Sequence, residues 1–218
     1  MNLEVIDLGR ITFKEAFLKQ IQTHNQILSR QSCHTLILCE HPHTLTLPRQ
    51  AKITNILDVN AIKDQDVDFI VGINRGGEVT YHGPGQLMGY LVFDLRELGR
   101  DLGLFLNKIE EAIIKTLGKL KIKSNAKEGY RGVWVGDQKI ASIGIGIDKW
   151  VSLHGFALNI ATDLNQFDRI RPCGLDIKMT SIKAQLNARI DINVVKNQII
   201  EQILEVFGLV RVKELAYA

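Results

Sequence analysis

The chain has 218 residues, 45% of them hydrophobic, and its 27 basic and 24 acidic side chains leave a net charge of +3 with no block of lysine or arginine. That supports one sizeable core in a single unit over residues 1–218; the spread charge gives no reason to expect nucleic acid, though a modest positive face would suit an acidic partner. The apolar runs are far below the roughly eighteen residues of a membrane helix, the start Met1-Asn2-Leu3-Glu4 has no leader, and Cys33, Cys39 and Cys173 match no paired framework, so a cytoplasmic protein with reduced thiols and no membrane association is expected.

Residues 3–8 read as a strand, and Thr12-Phe13-Lys14-Glu15 fits a capping box opening a helix that runs to about Arg30. Phe13, Phe17, Ile21 and Leu28 recur at helical spacing, which makes this helix cover for a sheet. Residues 35–39 form an apolar strand, and residues 44–47 alternate with period two until Pro48. Between them, Cys39, His41 and His43 would share one face of an extended segment. Pro42 interrupts it and no second ligand cluster follows, so a turn bearing surface histidines is expected and a metal is not.

Residues 67–73 and 86–95 read as strands on either side of a glycine-rich stretch. Residues 101–117 carry the helical repeat Leu102, Phe105, Leu106, Ile109, Ile113, stopped by Gly118, and the basic residues 119–127 read as a solvated loop. Residues 132–135, 139–147 and 151–160 form an antiparallel meander with turns at Gly136-Asp137 and Asp148-Lys149. In its middle strand Ser142, Gly144 and Gly146 share a face almost bare of side chains, which invites another backbone or an acyl chain; Lys139, Ile143, Ile145 and Ile147 share the other. After polar residues 161–170 and a loop holding Arg171-Pro172-Cys173-Gly174, Thr180-Ser181-Ile182 opens a short helix. Asp191 then caps a helix to about Phe207, stopped by Gly208, and residues 209–215 add a last strand.

The glycine-rich stretch, residues 75–90, packs five glycines among Arg75, Tyr81, His82 and Tyr90. Five glycines cost backbone entropy, so they point to positive φ or to close approach by another group, in a hairpin or at a ligand. Nucleotide motifs fail: there is no phosphate-loop pattern, and Gly83, Gly85 and Gly89 are spaced one residue too long for a dinucleotide fingerprint.

A nucleophilic cysteine needs exposure and a neighbour that favours the thiolate. Cys39 sits in an apolar strand as a small hydrophobe and Cys33 adjoins His34, whereas Cys173 lies between Pro172 and Gly174 with Arg169, Arg171 and Lys178 close in sequence, which makes it the candidate. A free thiol with pKa of about 8.5 is only roughly 3% thiolate at pH 7, and a two-unit drop makes it mostly thiolate. Lys139, opening an apolar strand, is a candidate partner; the alternative is a hairpin-end lysine facing solvent.

Taken together, Glu40-His41-Pro42, the run from Arg75 to Tyr90, Gly132-Val133-Trp134, Lys139 to Gly144, His154 to Asn159, and Pro172-Cys173-Gly174 to Thr180-Ser181 resemble, in order, the lipoyl(octanoyl) transferase family. The resemblance implies an α+β single domain of the biotin/lipoate protein ligase and transferase fold, with a mixed or antiparallel sheet and packed helices. It implies transfer of an octanoyl group from octanoyl-acyl carrier protein to a lysine on lipoyl domains, those of 2-oxoacid dehydrogenase complexes and the glycine cleavage H protein, as the first step of protein lipoylation. By similarity Cys173 corresponds to the acyl-accepting nucleophile and Lys139 to its paired lysine. Arg75, Gly76, Gly77, Glu78, Val79, Thr80, Tyr81, His82, Ser142, Ile143, Gly144, Gly155, Phe156 and Ala157 correspond to octanoyl-binding walls, and Glu40-His41-Pro42 to a corner beside the pocket. No cofactor or metal is implied, and a monomer is expected; backbone N–H groups near Gly76, Gly77 or Cys173 are oxyanion candidates. An ATP-dependent lipoate-protein ligase and a non-catalytic acyl-carrier-binding module are the alternatives. Leu91-Val92-Phe93 lacks the proline often found after Gly-Tyr in the family, and Gly146 stands where an arginine is common.

Overall fold

A computed structural model describes residues 1–58, 60, 66–172 and 177–216. Cys173 and Gly174 lie outside the described residues. The described strands are β1 (Asn2–Arg10), β2 (His34–Glu40), β3 (Thr44–Pro48), β4 (Asp68–Ile73), β5 (Thr80–His82), β6 (Gln86–Val92), β7 (Asn125–Lys127), β8 (Tyr130–Val135), β9 (Gln138–Asp148), β10 (Val151–Asn159), β11 (Lys178–Met179) and β12 (Val210–Ala216). The described α-helices are α1 (Phe13–Leu28), α2 (Leu102–Lys119), α3 (Ile182–Leu186) and α4 (Ile192–Phe207).

The main sheet runs β12-β1-β2-β6-β10-β9-β8-β7, with β11 beside β9. β1 is parallel to β12 and β2, and β11 to β9; the remaining pairs are antiparallel, so the sheet is mixed. Period-two alternation divides its side chains between two layers. Leu36, Leu38, Leu87 and Leu91 pack with Phe105, Ile109 and Ile113 of α2 and Val195, Ile199 and Ile203 of α4, while Ile37, Cys39, Met88 and Tyr90 pack with Ala16 and Ile27 of α1. A second sheet, β4-β3-β5, carries Leu45, Leu47, Val79 and Tyr81 into a small cluster with Phe167 and Ile170.

The capping box of α1 forms as expected: Thr12 accepts from the Glu15 N–H, and Glu15 reaches back to the Thr12 N–H. Its buried face is rotated from the expected one. Phe13, Ala16, Gln20, Thr23, His24 and Ile27 are buried, whereas Phe17, Ile21 and Leu28 are only half-buried. Polar Gln20 and His24 meet the β9–β10 hairpin through His154 N–H and Asp148 carbonyl bonds, which apolar periodicity could not register. Gly118 lies inside α2; the chain leaves at Lys121, at φ 62°, because Ile122 turns back into the core. Residues 125–127 of the expected loop pair with β8. The β9–β10 turn is centred on Lys149 and Trp150, both at positive φ, one residue beyond the expected position.

Candidate active site

The glycine-rich stretch leaves β4 at Asn74, forms β5 and enters β6. Its first turn is held by Arg75, which donates from Nη1 to the Gly76 carbonyl and from Nη2 to Thr46 Oγ1, the Thr46 carbonyl and the Glu78 carbonyl. The Gly76 N–H donates to the Ile145 carbonyl at 3.1 Å and pins the turn onto β9. That bond removes Gly76 from the candidate oxyanion donors. The bare face of β9 receives this backbone: a Cβ on Gly144 would lie 2.9 Å from the Gly76 carbonyl oxygen, and one on Gly146 would lie 2.2 Å from that of Asn74.

Between turn and sheet is a narrow cavity of about 60 Å³, counted as space open to the centre of a water molecule. Of the residues singled out in the sequence, Arg75, Gly76, Gly77, Glu78, Val79, Thr80, His82, Lys139, Ser142, Ile143, Gly144, Gly155, Phe156 and Ala157 line it. Tyr81 does not. Period-two alternation turns Tyr81 to the other side of β5, where its hydroxyl meets His43 Nδ1 at 2.6 Å and its ring packs on Phe167. A wider groove of about 450 Å³ on the same measure shares Gly76, Gly77, Glu78, Lys139, Ile143 and Gly144 with the cavity and continues past Tyr130, Trp134 and Leu106.

Lys139 stands where cavity and groove meet. It is 2% exposed, so it is not a solvent-facing hairpin lysine. Its Nζ lies 5.4 Å from the Trp134 ring centroid, a cation–π contact. Thr180 N–H donates to the Lys139 carbonyl at 2.9 Å, and Met179 pairs with Lys139. Upstream, Arg171 N–H donates to the Asn55 carbonyl at 2.7 Å. Asn159 donates from Nδ2 to the Thr180 carbonyl and accepts at Oδ1 from Gln86 Nε2, and Gln86 Oε1 meets His82 Nδ1, so a buried polar chain joins the cavity wall to Thr180.

Phe13, Met88, Tyr90 and His154 also line the cavity and were not singled out as wall residues. Only tertiary packing reveals them, although Met88 and Tyr90 alternate along the glycine-rich strand. Of the two histidines expected at the surface, His43 is half-buried and His41 is not at the surface at all. His41 is fully buried, its Nδ1–H donating to the Ile11 carbonyl at 2.7 Å and its Nε2 accepting from the Tyr90 hydroxyl at 2.6 Å. Burial lowers the His41 pKa; burial, then the His41 and Arg75 charges, lowers His82 to about 3, and burial, then Arg75, lowers His154 to about 4. Burial pushes the Cys39 thiol far up, and burial with Glu4 raises Cys33. Among the described residues no three His, Cys, Asp or Glu are grouped to hold a metal, and no helix is long and apolar enough to cross a membrane.

A family model described as the lipoyl protein ligase A/B catalytic domain matches residues 12–204. An octanoyltransferase of Solibacter usitatus is 44% identical over 177 residues, 81% of this chain and 80% of that one. Among solved structures, a bi-partite lipoate protein ligase from Thermoplasma acidophilum aligns with a TM-score of 0.73 at 16% identity, covering 100% of this chain and 88% of that one. A biotin protein ligase from Aquifex aeolicus aligns at 0.56 with 12% identity, covering 95% and 70%. These two likenesses concern the fold.

Proposed function

Because the chain belongs to the lipoyl protein ligase A/B catalytic-domain family, and to its octanoyltransferases, a class of transferase enzymes, we propose that it moves an octanoyl group from the thioester of acyl carrier protein to the ε-amine of a lysine on lipoyl domains. The observation that carries this reading is the buried Lys139 at the junction of a slim, glycine-walled cavity and an open groove. The cavity suits an alkyl chain, and the groove suits the arms that deliver and collect it.

In the first step the Cys173 thiolate attacks the thioester carbonyl. The new C–S bond forms as the carrier's C–S bond breaks, and the carrier leaves as a thiol after taking up a proton. In the second, the neutral lysine amine of the lipoyl domain attacks the octanoyl-enzyme. A C–N bond forms, Cys173 departs as thiolate, and the proton lost by the amine passes to it or to solvent. Lys139 favours the Cys173 thiolate by its charge: at about 4 Å and an effective dielectric of 20 a unit charge contributes on the order of 4 kcal/mol before desolvation opposes it. A thioester is already activated, so the reaction needs no nucleotide. We propose that the enzyme acts as a cytoplasmic monomer.

Intact mass after incubation with octanoyl-acyl carrier protein, without ATP, tests this. The wild type gains one hydroxylamine-sensitive octanoyl group and Cys173→Ala gains none. An adduct on both proteins would sink the assignment of Cys173. Labelling of a lipoyl domain only with ATP and free acid would replace transfer by ligation.

A further inference from the structure

The inner end of the cavity is built differently from its mouth. Residues shared with the groove include the exposed Gly76 and Gly77, whereas Phe13, His82, Met88, Tyr90 and His154 line the cavity and not the groove, each no more than 5% exposed. Phe13 is ringed there by aromatic side chains. Its ring centroid lies 5.6 Å from His41, 6.4 Å from His82 and 6.4 Å from His154, and it is backed by the Phe17 ring at 6.3 Å. The three imidazoles stay neutral at pH 7, so the surround is apolar enough to face an alkyl terminus. Phe13 is also the first residue of α1, inside the Thr12–Glu15 capping box, so its backbone is fixed where it lines the cavity.

We propose that Phe13 is the floor of the acyl cavity and the residue that selects acyl-chain length. The assignment rests on the acyl-transfer reading. A chain longer than the cavity must displace a ring wedged among other rings, while a shorter one leaves contacts with it unmade. Both are disfavoured in a close-packed interior.

The test gives wild type, Phe13→Ala and Phe13→Trp an equimolar mixture of hexanoyl-, octanoyl-, decanoyl- and dodecanoyl-acyl carrier protein, and reads the acyl-enzymes by intact mass. Wild type should favour octanoyl over dodecanoyl by at least about tenfold. Phe13→Ala should gain about fourfold for each further methylene it can bury, cutting that ratio by tenfold or more, and Phe13→Trp should move the preference toward hexanoyl. Calorimetry of octanoate and dodecanoate with the same variants reads the cavity independently of transfer. Unchanged length preference in both variants, each folded by circular dichroism, in both readouts would overturn the floor. A shifted preference in calorimetry with no acyl-enzyme in the wild type would support the floor and sink the transfer reading alone.

Discussion

Gly132 and Lys139 fill adjoining space so closely that a Cβ on Gly132 would stand 2.5 Å from Lys139 Cε and 2.4 Å from the Ala141 carbonyl oxygen. Gly132 sits at φ +124°, and its N–H is held by the buried Glu110 carboxylate at 2.9 Å. Gly132→Ala is therefore expected to cost about 1–3 kcal/mol of stability through backbone strain and, by moving the Lys139 amine, roughly a hundredfold in acyl-enzyme formation. Stopped-flow or quenched acylation beside a urea melt checks both.

Gly155→Ala acts on the sheet itself. The added methyl would fall 1.9 Å from the Gly89 carbonyl oxygen across the β6–β10 pair, where neither backbone has room to move. The expected loss is about 3 kcal/mol or more, read as a lower urea midpoint; a shift of a few tenths would contradict the packing described.

Tyr90→Phe leaves the fully buried His41 Nε2 without its hydroxyl donor, with only Cys39 Sγ at 3.9 Å as a weak substitute. An unmade bond to a buried acceptor costs about 1–3 kcal/mol. The same loss should vanish when His41 is already replaced by an apolar residue, which a double-mutant cycle measures.

Acid should weaken the fold in a definite window. His82 and His154 have folded pKa values of about 3 and about 4, below their ordinary 6.5. Above 6.5 both states are neutral and neither contributes; below it the unfolded chain takes protons that the native one refuses. Stability then falls by about 1.4 kcal/mol per pH unit for each histidine until its folded pKa is reached. Urea midpoints between pH 7 and 5 should slope less steeply for His154→Phe than for the wild type.

Thiol labelling should separate the cysteines. Cys39 is fully buried with its pKa pushed up, and Cys33 is half-buried with a raised pKa. With native protein at pH 7.5, iodoacetamide should modify Cys173 first and spare Cys39, and octanoylation should protect Cys173 alone; peptide mass mapping reads the order.

What the sequence disclosed followed the range of each interaction. The capping box at Thr12, the α4 stop at Gly208 and the β8–β10 meander depend on residues close together in the chain, and all form, the last with its second turn one residue later than expected. The pairing of Thr44 with both Asp68 and His82 joins segments far apart, so the separate β4-β3-β5 sheet left no local trace. The candidate walls were legible because glycine spacing is a local signal. Phe13 and His154 were not, since α1 hides a polar face and the cavity exists only after α1, β6, β9 and β10 have met.

Beside the cavity, where the glycine-rich turn lies on β9, Gly144 and Gly146 meet the carbonyls of Gly76 and Asn74, main chain facing main chain. On that side the spacing between turn and sheet is thus gauged by backbone atoms, whose size no substitution alters, and not by rotamers. Side chains lining the adjoining groove can change to suit different delivering or receiving proteins while the calibre of what enters stays constant.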